Sequence, residues 1–358
     1  MKVNIDLDAL VHNATVLNEK VGVFYAVLKC DAYGHGAVSC AKALYESGVR
    51  HYAVFSLAEA LEIHPFVGNS EILILGRTDA SELATVSEKG FVQTVFSEEY
   101  AREIIAHGYG TRLHVKIDTG MNRSGFPADG ERVFSILSTL GDNVDGVYTH
   151  FPRADEKDIS DTEERLSLFL KTVDELEVLL GRKLKKHSAA SAAALRLPAA
   201  RLDVSRIGLA LYGISPDNSE PPSLKPVMSL YGTVSGIRTV KKGDTVGYGC
   251  RFTCKRDSII ATVDGGYANG VRRSLVGRFR PRIFGKLLPL AAVCMDRCML
   301  DVTDLFLMGK EVRAGETVTF FGNGHSVKEM AVSAKTIPYE ILTLAGKTNA
   351  KSIAAKQI

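Results

Sequence analysis

The sequence predicts a (β/α)8 TIM-like barrel followed by a mostly β C-terminal domain. At 358 residues the chain is too long for one ordinary core, which predicts two domains. Up to about residue 213, short apolar runs alternate with longer amphipathic runs, as strands and helices do in α/β folds. After a proline- and serine-rich stretch at 217–226, the pattern changes to short alternating segments broken by glycine.

The barrel strands are predicted from apolar runs of the kind found in parallel strands buried on both faces. In order they are FYAVLK (24–29), HYAVFS (51–56), ILILGR (72–77), VQTVFS (92–97), LHVKID (113–118), GVYTHF (146–151), KHSAA (186–190) and VSRIGLA (204–210). Helical patterns lie between them, such as SEEYAREIIAHG (97–108) and DTEERLSLFLKTVDELEVLLG (161–181). A doubly wound open sheet is the alternative. It normally has a G-x-G-x-x-G turn after its first strand, and the sequence contains none, so the barrel is favoured.

The second domain is predicted from segments typical of antiparallel strands and hairpins. These are MSLYGTVSGIRTV (228–240), SIIATVDGGY (258–267) and VRAGETVTFFGNG (312–324). The stretch at 217–226 is predicted to be a linker. We therefore expect a barrel over residues 1–224 and a β-rich domain over residues 225–358.

Composition and charge exclude several classes of protein. A net charge of +3 on intermixed basic and acidic residues argues against a nucleic-acid partner. No apolar stretch reaches the length of a membrane span, and the N-terminus carries two aspartates where a signal peptide needs an apolar core, so a cytoplasmic protein is expected. Six cysteines are too few for a disulfide framework. Buried, reduced thiols are favoured over a zinc site at the pairs Cys250/Cys254 and Cys294/Cys298, and no metal is predicted.

Polar residues follow the predicted barrel strands at their carboxyl ends. In such a barrel these ends converge on one face, where active sites lie. The candidates are Lys29, Lys116, Asp118, His150, Ser191, Arg206 and Gly208. They predict an active site at the carboxyl-terminal mouth of the barrel.

Lys29 ends the first predicted strand and is followed by DAYGHG. Burial of a lysine lowers the pKa of its ammonium, and the free amine can then form a Schiff base with an aldehyde. The turn after it offers a phenol and exposed backbone amides, which suit a phosphorylated cofactor. The structural alternative is a lysine at the barrel rim with its stem buried and its charge in solvent.

The segment AVLKCDAYGHGA (26–37) resembles the pyridoxal-phosphate (PLP) lysine motif of the alanine racemases. Four other segments match that family in the same order: HVKIDTGMNRSG (114–125), YTHFPRADE (148–156), RIGLALYG (206–213) and GDTVGYG (243–249). Weaker matches are GYANG, CMDRCMLDVTD and TIPYE. The resemblance implies a PLP-dependent enzyme that interconverts L- and D-alanine and supplies D-alanine for peptidoglycan. It also implies a cytoplasmic homodimer whose active sites are shared between subunits.

The resemblance also implies roles for individual residues. Lys29 would bind PLP and act as the proton carrier on one face of the substrate. Tyr248, from the partner subunit, would be the carrier on the other face, with His150 nearby as a supporting residue. Arg206 would face the pyridine nitrogen and keep it unprotonated, because a guanidinium does not readily give up a proton. The phosphate would be bound by Tyr33, Ser191, Gly208, Leu209 and Tyr339.

Further residues are implied at the substrate. Arg123 would bind the substrate carboxylate through its bidentate fork. Lys116 would be carbamylated, which turns a cation beside Arg123 into an anion that orients it. Met295, Asp296 and Tyr267 of the partner subunit would line the entrance.

Four features depart from the family pattern. Ala190 stands where asparagine is usual, Asn269 replaces an aspartate, Ala291 and Ala292 replace glycine-arginine, and the C-terminal arginines are missing. These differences leave a racemase of serine or lysine open as an alternative, although a small pocket is expected. A PLP-carrying regulatory protein is less favoured because such proteins resemble only the first half. A two-domain decarboxylase is also less favoured, because CMDRCMLD fits the racemase pattern better.

Overall fold

The computed structural model describes residues 1–108, 110–216, 223–322 and 324–354. The strands are β1 (Lys2–Asp6), β2 (Phe24–Val27), β3 (His51–Val54), β4 (Glu71–Ile74), β5 (Val92–Val95), β6 (Arg112–Asp118), β7 (Phe126–Pro127), β8 (Val144–Tyr148), β9 (Lys185–His187), β10 (Ser205–Ile207), β11 (Met228–Val240), β12 (Thr245–Val246), β13 (Phe252–Thr253), β14 (Ser258–Asp264), β15 (Arg282–Ile283), β16 (Lys286–Leu287), β17 (Leu290–Val293), β18 (Arg297–Asp301), β19 (Thr317–Phe321) and β20 (Ala350–Ala354).

The helices are α1 (Leu7–Val21), α2 (Lys29–Gly34), α3 (Ala37–Glu46), α4 (Leu57–Ile63), α5 (Leu83–Glu88), α6 (Glu98–His107), α7 (Gly130–Leu140), α8 (Ser160–Leu180), α9 (Ser191–Arg196), α10 (Thr303–Leu307), α11 (Val327–Ala334) and α12 (Pro338–Thr348). Among the short 3-10 turns are Leu209–Tyr212, Tyr248–Cys250 and Tyr267–Asn269. Of the described helices, none is both long and apolar enough to cross a membrane.

The chain divides into two compact units. We call the unit formed by Ala9–Ala32 and Ala37–Lys225 the barrel unit. We call the unit formed by Met1–Asp8, Tyr33–Gly36 and Pro226–Ile358 the β unit. The division at residue 224 stays a prediction, and the predicted linker at 217–226 lies partly outside the described residues, at 217–222.

The barrel unit contains a parallel sheet in the order β10-β2-β3-β4-β5-β6-β8-β9. Its two ends approach each other where Ala190 pairs in parallel with Arg206, so the sheet is a nearly closed barrel. Each strand of this path overlaps one of the predicted runs. The prediction of a TIM-like barrel is therefore confirmed.

Strand β6 shows how sequence alternation positions the site, because successive side chains point to opposite faces. Leu113, Val115 and Ile117 are buried in the apolar layer beneath α7 and α8, with residues such as Val133 and Phe169. On the opposite face lie Arg112, His114, Lys116 and Asp118. The strand therefore lines the inside of the barrel with polar side chains from its first residue to its last.

The β unit is built on an antiparallel sheet in the order β16-β15-β19-β11-β14-β18-β17. The predicted segment 228–240 is strand β11, which pairs with both β14 and β19. The N-terminal strand β1 also belongs to this sheet, antiparallel to β11 and parallel to β20. The mostly β domain is confirmed; helices α11 and α12 also belong to this unit and were not predicted.

Candidate active site

The turn after β2 is left-handed. Cys30, Asp31, Ala32 and Tyr33 have φ angles between 53° and 55°, so α2 is a left-handed turn that starts at Lys29. For residues with a side chain this conformation costs about 1–2 kcal/mol each. The conformation explains the tight turn predicted around Tyr33 and sets the direction in which the chain leaves Lys29.

Three hydrogen bonds within the barrel unit hold this turn. The amide of Ala32 donates to the carbonyl of Leu28 at 2.7 Å. The amide of Cys30 donates to Oε1 of Glu59, also at 2.7 Å. Asp31 Oδ1 accepts from the amide of Ala37 at 2.7 Å. Of these side chains, Glu59 was not recognised as part of the site from the sequence.

Lys29 is half-buried at the carboxyl end of β2. Burial is the main cause that lowers the pKa of its ammonium, and the charge of Arg123 lowers it further. A lowered pKa increases the fraction of neutral amine at neutral pH, which is the form that reacts with an aldehyde. The direction of this shift agrees with the expectation for Lys29, and its bond to a cofactor stays a prediction.

The guanidinium of Arg206 is buried and fixed by uncharged acceptors. It donates to the carbonyls of Thr149 at 2.6 Å, His187 at 3.0 Å and Ser188 at 3.1 Å. It also contacts Nδ1 of His187 at 2.8 Å and Nδ1 of His150 at 3.3 Å. No carboxylate pairs with it among the described residues, and burial lowers the pKa of Arg206 to about 10.

Lys116 and Arg123 lie in the barrel unit near Lys29. The Lys116 Nζ donates to the hydroxyl of Ser124 at 2.7 Å. Burial, followed by the charges of Arg123 and Arg206, lowers the pKa of Lys116 to about 8. Arg123 is exposed in the loop after β6, with no ion-pair partner in the part of the chain that the structure describes. The charges of three cationic side chains, Arg123, Arg206 and Lys29, therefore act on Lys116 and lower its pKa.

Ser191 and Gly208 come together as predicted. The buried Ser191 hydroxyl accepts from the amides of Gly208 at 3.1 Å and Ala210 at 3.3 Å. Leu209 follows in the 3-10 turn Leu209–Tyr212. Ala190 occupies the N-cap position of α9, where it offers no side-chain acceptor, whereas asparagine is among the preferred residues there.

Tyr33 and Tyr339 lie together in the β unit. Their ring centroids are 5.7 Å apart, and the rings are tilted by 43°. Tyr33 is buried, while Tyr339 in the first turn of α12 is partly exposed. Their predicted phosphate contact stays a prediction.

Tyr248 lies on the surface of the β unit with 79% of its area exposed. It is flanked by Gly247 and Gly249, both with positive φ. A Cβ on Gly247 would lie 2.3 Å from the Cβ of Ala292, so the loop packs directly on β17. The alanine that departs from the family pattern is thus part of the support for Tyr248.

The other predicted residues of the β unit are on two neighbouring loops. The amide of Tyr267 donates to the carbonyl of Cys294 at 3.0 Å, and the carbonyl of Asp296 accepts from Gly265 at 2.7 Å. Tyr267 is 44% exposed and Met295 is 60% exposed. Asn269 Nδ2 donates to the side-chain oxygen of Asn349 at 3.1 Å, a bond that an ionised aspartate could not donate. The structure therefore brings Tyr267, Met295 and Asp296 together.

The cysteines do not form a metal centre in the described part of the chain. All six are free, and no group of three or more His, Cys, Asp or Glu side chains is arranged to hold a metal there. Of the two pairs expected to be buried, Cys254 and Cys298 are buried and Cys294 is partly buried, whereas Cys250 is exposed, contrary to the expectation.

Two family models match the chain. The model for "Alanine racemase, N-terminal domain" matches residues 5–216, and that for "Alanine racemase, C-terminal domain" matches residues 227–353. The chain belongs to the alanine racemase family.

Individual relatives agree with this membership. Alanine racemase 1 of Clostridium acetobutylicum is 34% identical over 96% of this chain and 92% of its own. The crystal structure of the Bacillus anthracis alanine racemase with bound L-Ala-P has a TM-score of 0.88 and 33% identity, covering 99% of this chain and 95% of the other. The Bartonella henselae alanine racemase, with covalently bound pyridoxal phosphate, has a TM-score of 0.90 and 26% identity, covering 98% and 99%. Members of the family are PLP-dependent amino-acid racemases.

Proposed function

We propose that this protein is a PLP-dependent alanine racemase that interconverts L- and D-alanine by a two-base mechanism. The proposal depends above all on Lys29, an amine with a lowered pKa that follows a barrel strand and lies near the charge of Arg123. The matches to both family models support the same function. D-alanine for peptidoglycan is the expected use of the product.

The residues of the barrel unit fit PLP. Lys29 provides the amine for the covalent bond to the cofactor aldehyde. The amides of Gly208 and Ala210 point at the Ser191 hydroxyl, which makes this turn a suitable phosphate site together with Leu209. Arg206 is available as a fixed donor because its buried guanidinium has only uncharged acceptors among the described residues. Tyr33 and Tyr339 are proposed as further phosphate contacts.

When bound, PLP withdraws electrons from the α-carbon of the substrate and makes its proton removable. Lys29 Nζ, once free of the cofactor, exchanges that proton on one face of the substrate. The phenol oxygen of Tyr248 of a partner subunit exchanges a proton on the opposite face. Its exposure of 79% is consistent with a residue that reaches into another chain. Two carriers on opposite faces are required because inversion removes a proton from one side and returns it to the other.

Arg123 is proposed to bind the substrate carboxylate, because its guanidinium is exposed and has no ion-pair partner in the described residues. Carbamylation of Lys116 would give this guanidinium an anionic neighbour. The reaction with carbon dioxide requires the neutral amine, and a pKa of about 8 makes that form available near neutral pH. His150 is proposed as a neutral supporting residue, since burial lowers its pKa well below the ordinary value.

The protein is proposed to work as a cytoplasmic homodimer. Each site would combine Lys29 of one subunit with Tyr248, Tyr267, Met295 and Asp296 of the other. The close association of the Tyr267 loop with the Met295 loop within one β unit supports their joint role at an entrance.

The test is solvent-deuterium exchange into each enantiomer of alanine, with serine and lysine as comparison substrates. The wild-type protein supplied with PLP should be yellow and exchange the α-proton of both alanine enantiomers. Lys29→Ala should lose the colour and both exchanges. Tyr248→Phe should slow exchange from one enantiomer by about 10²–10⁴-fold and affect the other far less. A colourless wild-type protein, or equal small effects of Tyr248→Phe on both enantiomers, would overturn the proposal.

A further inference from the structure

A line of polar side chains crosses the interior of the barrel unit. Glu71, Arg112 and Lys185 are the first residues of β4, β6 and β9, so they lie at the amino-terminal mouth. Lys116 and Arg206 lie toward the carboxyl-terminal mouth. On β6, Arg112 and Lys116 are separated by about 13 Å along the strand. His114 lies between them on the same face of the strand, so it can connect the two mouths.

Two hydrogen bonds and one close polar contact join Arg206, His187, His114 and Asp145 in series. Arg206 contacts Nδ1 of His187 at 2.8 Å. Nε2 of His187 lies 2.9 Å from Nδ1 of His114. Nε2 of His114 then lies 3.2 Å from Oδ1 of Asp145, a close polar contact that does not have hydrogen-bond geometry. Both imidazoles are fully buried, and the ring of His187 stacks on Tyr148 with centroids 4.6 Å apart.

The chemistry of the two ends permits one arrangement of protons. A guanidinium only donates hydrogen bonds, so Nδ1 of His187 must accept and its proton must be on Nε2. That proton points at Nδ1 of His114, which must then carry its own proton on Nε2, toward the carboxylate of Asp145. Both rings are neutral, because burial lowers the pKa of His114 and of His187. Both hydrogen bonds therefore run from Arg206 toward His114, and the remaining N–H of His114 faces the carboxylate of Asp145.

The backbone is shaped to admit this chain. The pairing of β6 with β8 is shifted between Leu113 and His114, so Asp145 is an extra residue at a bulge, which re-aims its side chain. The next residue is Gly146, and a Cβ there would lie 2.3 Å from the ring of His114. The missing side chain leaves the space that the imidazole occupies.

The carboxylate at the end of the chain is held by charge. Arg112 donates to Oδ2 of Asp145 through Nε at 2.8 Å and through Nη2 at 2.5 Å. Arg112 also donates to Glu71 at 2.8 Å, which accepts in turn from Lys185 at 2.8 Å. Burial raises the pKa of Asp145, but the interactions with His114 and Arg112 outweigh it and hold the pKa below its ordinary value.

We propose that Asp145, His114 and His187 are positioning residues for Arg206, which they fix as a donor with one proton arrangement. The proposal rests on the proposed function, since the role of Arg206 is to face the cofactor ring nitrogen without giving up a proton. The carboxylate of Asp145 at one mouth of the barrel thereby helps to fix the guanidinium of Arg206 at the other mouth as a hydrogen-bond donor.

The direct test is long-range ¹H–¹⁵N correlation NMR on histidine-labelled full-length protein, with and without PLP. In the wild type, His114 and His187 should both carry their proton on Nε2. In Asp145→Asn the amide oxygen should stay with Arg112, which can only donate, so the amide nitrogen faces His114. His114 should then move its proton to Nδ1, and its bond to His187 should be lost. Asp145→Glu retains a carboxylate and should restore the wild-type pattern.

The matched control is His51→Gln. His51 lies at the same mouth, and its ring is edge-on to that of Tyr25 with centroids 5.5 Å apart. It is not a member of the series formed by Arg206, His187, His114 and Asp145. This variant should leave the protons of His114 and His187 unchanged. A cofactor whose ring nitrogen is protonated favours transamination, in which the amino group of alanine stays on the cofactor and water supplies the oxygen of the pyruvate that is released. With alanine as substrate, Asp145→Asn should therefore raise pyruvate formation relative to racemisation at least threefold, and His51→Gln should not.

Two results would overturn the proposal. One is a wild-type spectrum with the His187 proton on Nδ1. This result is obtained on the wild-type protein, so it does not depend on whether any variant folds. The other is a reversed His114 in Asp145→Asn with an unchanged ratio of pyruvate formation to racemisation. A wild-type protein that shows the expected protons but neither binds PLP nor racemises alanine would instead contradict the proposed function alone.

Discussion

Glu59 connects the left-handed turn to the rest of the barrel unit, and its carboxylate uses both oxygens. Oε1 accepts from the amide of Cys30 and Oε2 from the amide of Phe55, each at 2.7 Å. In Glu59→Gln one of these amides loses its acceptor, because the new NH2 group can only donate. A hydrogen bond to a charged group contributes about 1.5–3 kcal/mol, and the four strained residues of the turn cost roughly 4–8 kcal/mol.

The free energy of unfolding should therefore fall by about 1.5–3 kcal/mol in Glu59→Gln, measured by urea denaturation of the PLP-free protein. If the loss is confined to the turn, the affinity for PLP should fall by the same free energy, or between about 12-fold and 140-fold, measured from the absorbance of the bound cofactor. Glu62→Gln is the matched control, since Glu62 is exposed in the same helix α4. Equal behaviour of the two variants, within about 0.5 kcal/mol and in PLP affinity, would refute the role of Glu59.

Two further predictions concern the subunit boundary and the charge of Lys116. Mixing Lys29→Ala with Tyr248→Phe under conditions that exchange subunits should restore about a quarter of wild-type racemase activity, because half of the dimers would contain one intact site of two; no recovery would place both carriers in one subunit. In CO2-free buffer, unfolded protein keeps the Lys116 proton up to a pKa of about 10.4 whereas the folded protein loses it near 8, so stability should rise with pH in that window. Lys116→Met lacks this ionisable group, so its free energy of unfolding should exceed that of the wild type at pH 7, and the difference should shrink by roughly 3 kcal/mol between pH 7 and pH 10.5. Parallel pH profiles of the free energy of unfolding for variant and wild type would contradict this.

The barrel was predictable because its strands are apolar runs with polar residues at their carboxyl ends. Lys29, Lys116 and Arg206 were found by that rule and lie in one unit. The strand Lys2–Asp6 was missed although it alternates polar and apolar residues, because it is only five residues long and pairs with residues more than 200 positions away. Its place in the β unit depends on long-range pairing, which local sequence patterns do not contain.

Other features of the site could not be read from the sequence for different reasons. The residues of the left-handed turn are not glycines, and their conformation is imposed by bonds such as that from Cys30 to Glu59. His114 and His187 are histidines within otherwise ordinary strand patterns. For His114 the available signal was its place in the alternation of β6, on the face opposite the apolar residues. The contact between His114 and His187 depends on the register of three strands, β6, β8 and β9.

The position of β1 between β11 and β20 constrains how the β unit can be assembled. Residues Lys2–Asp6 are synthesised long before Ala350–Ala354, so they find their parallel neighbour only at the end of synthesis. Until then the partly made sheet exposes an unpaired edge at β1, which is a site for wrong association between chains. A fragment beginning at residue 226 would lack β1 and would therefore have a permanently open edge at β11. Supplying such a fragment with a peptide of residues 1–8 is expected to reduce its aggregation.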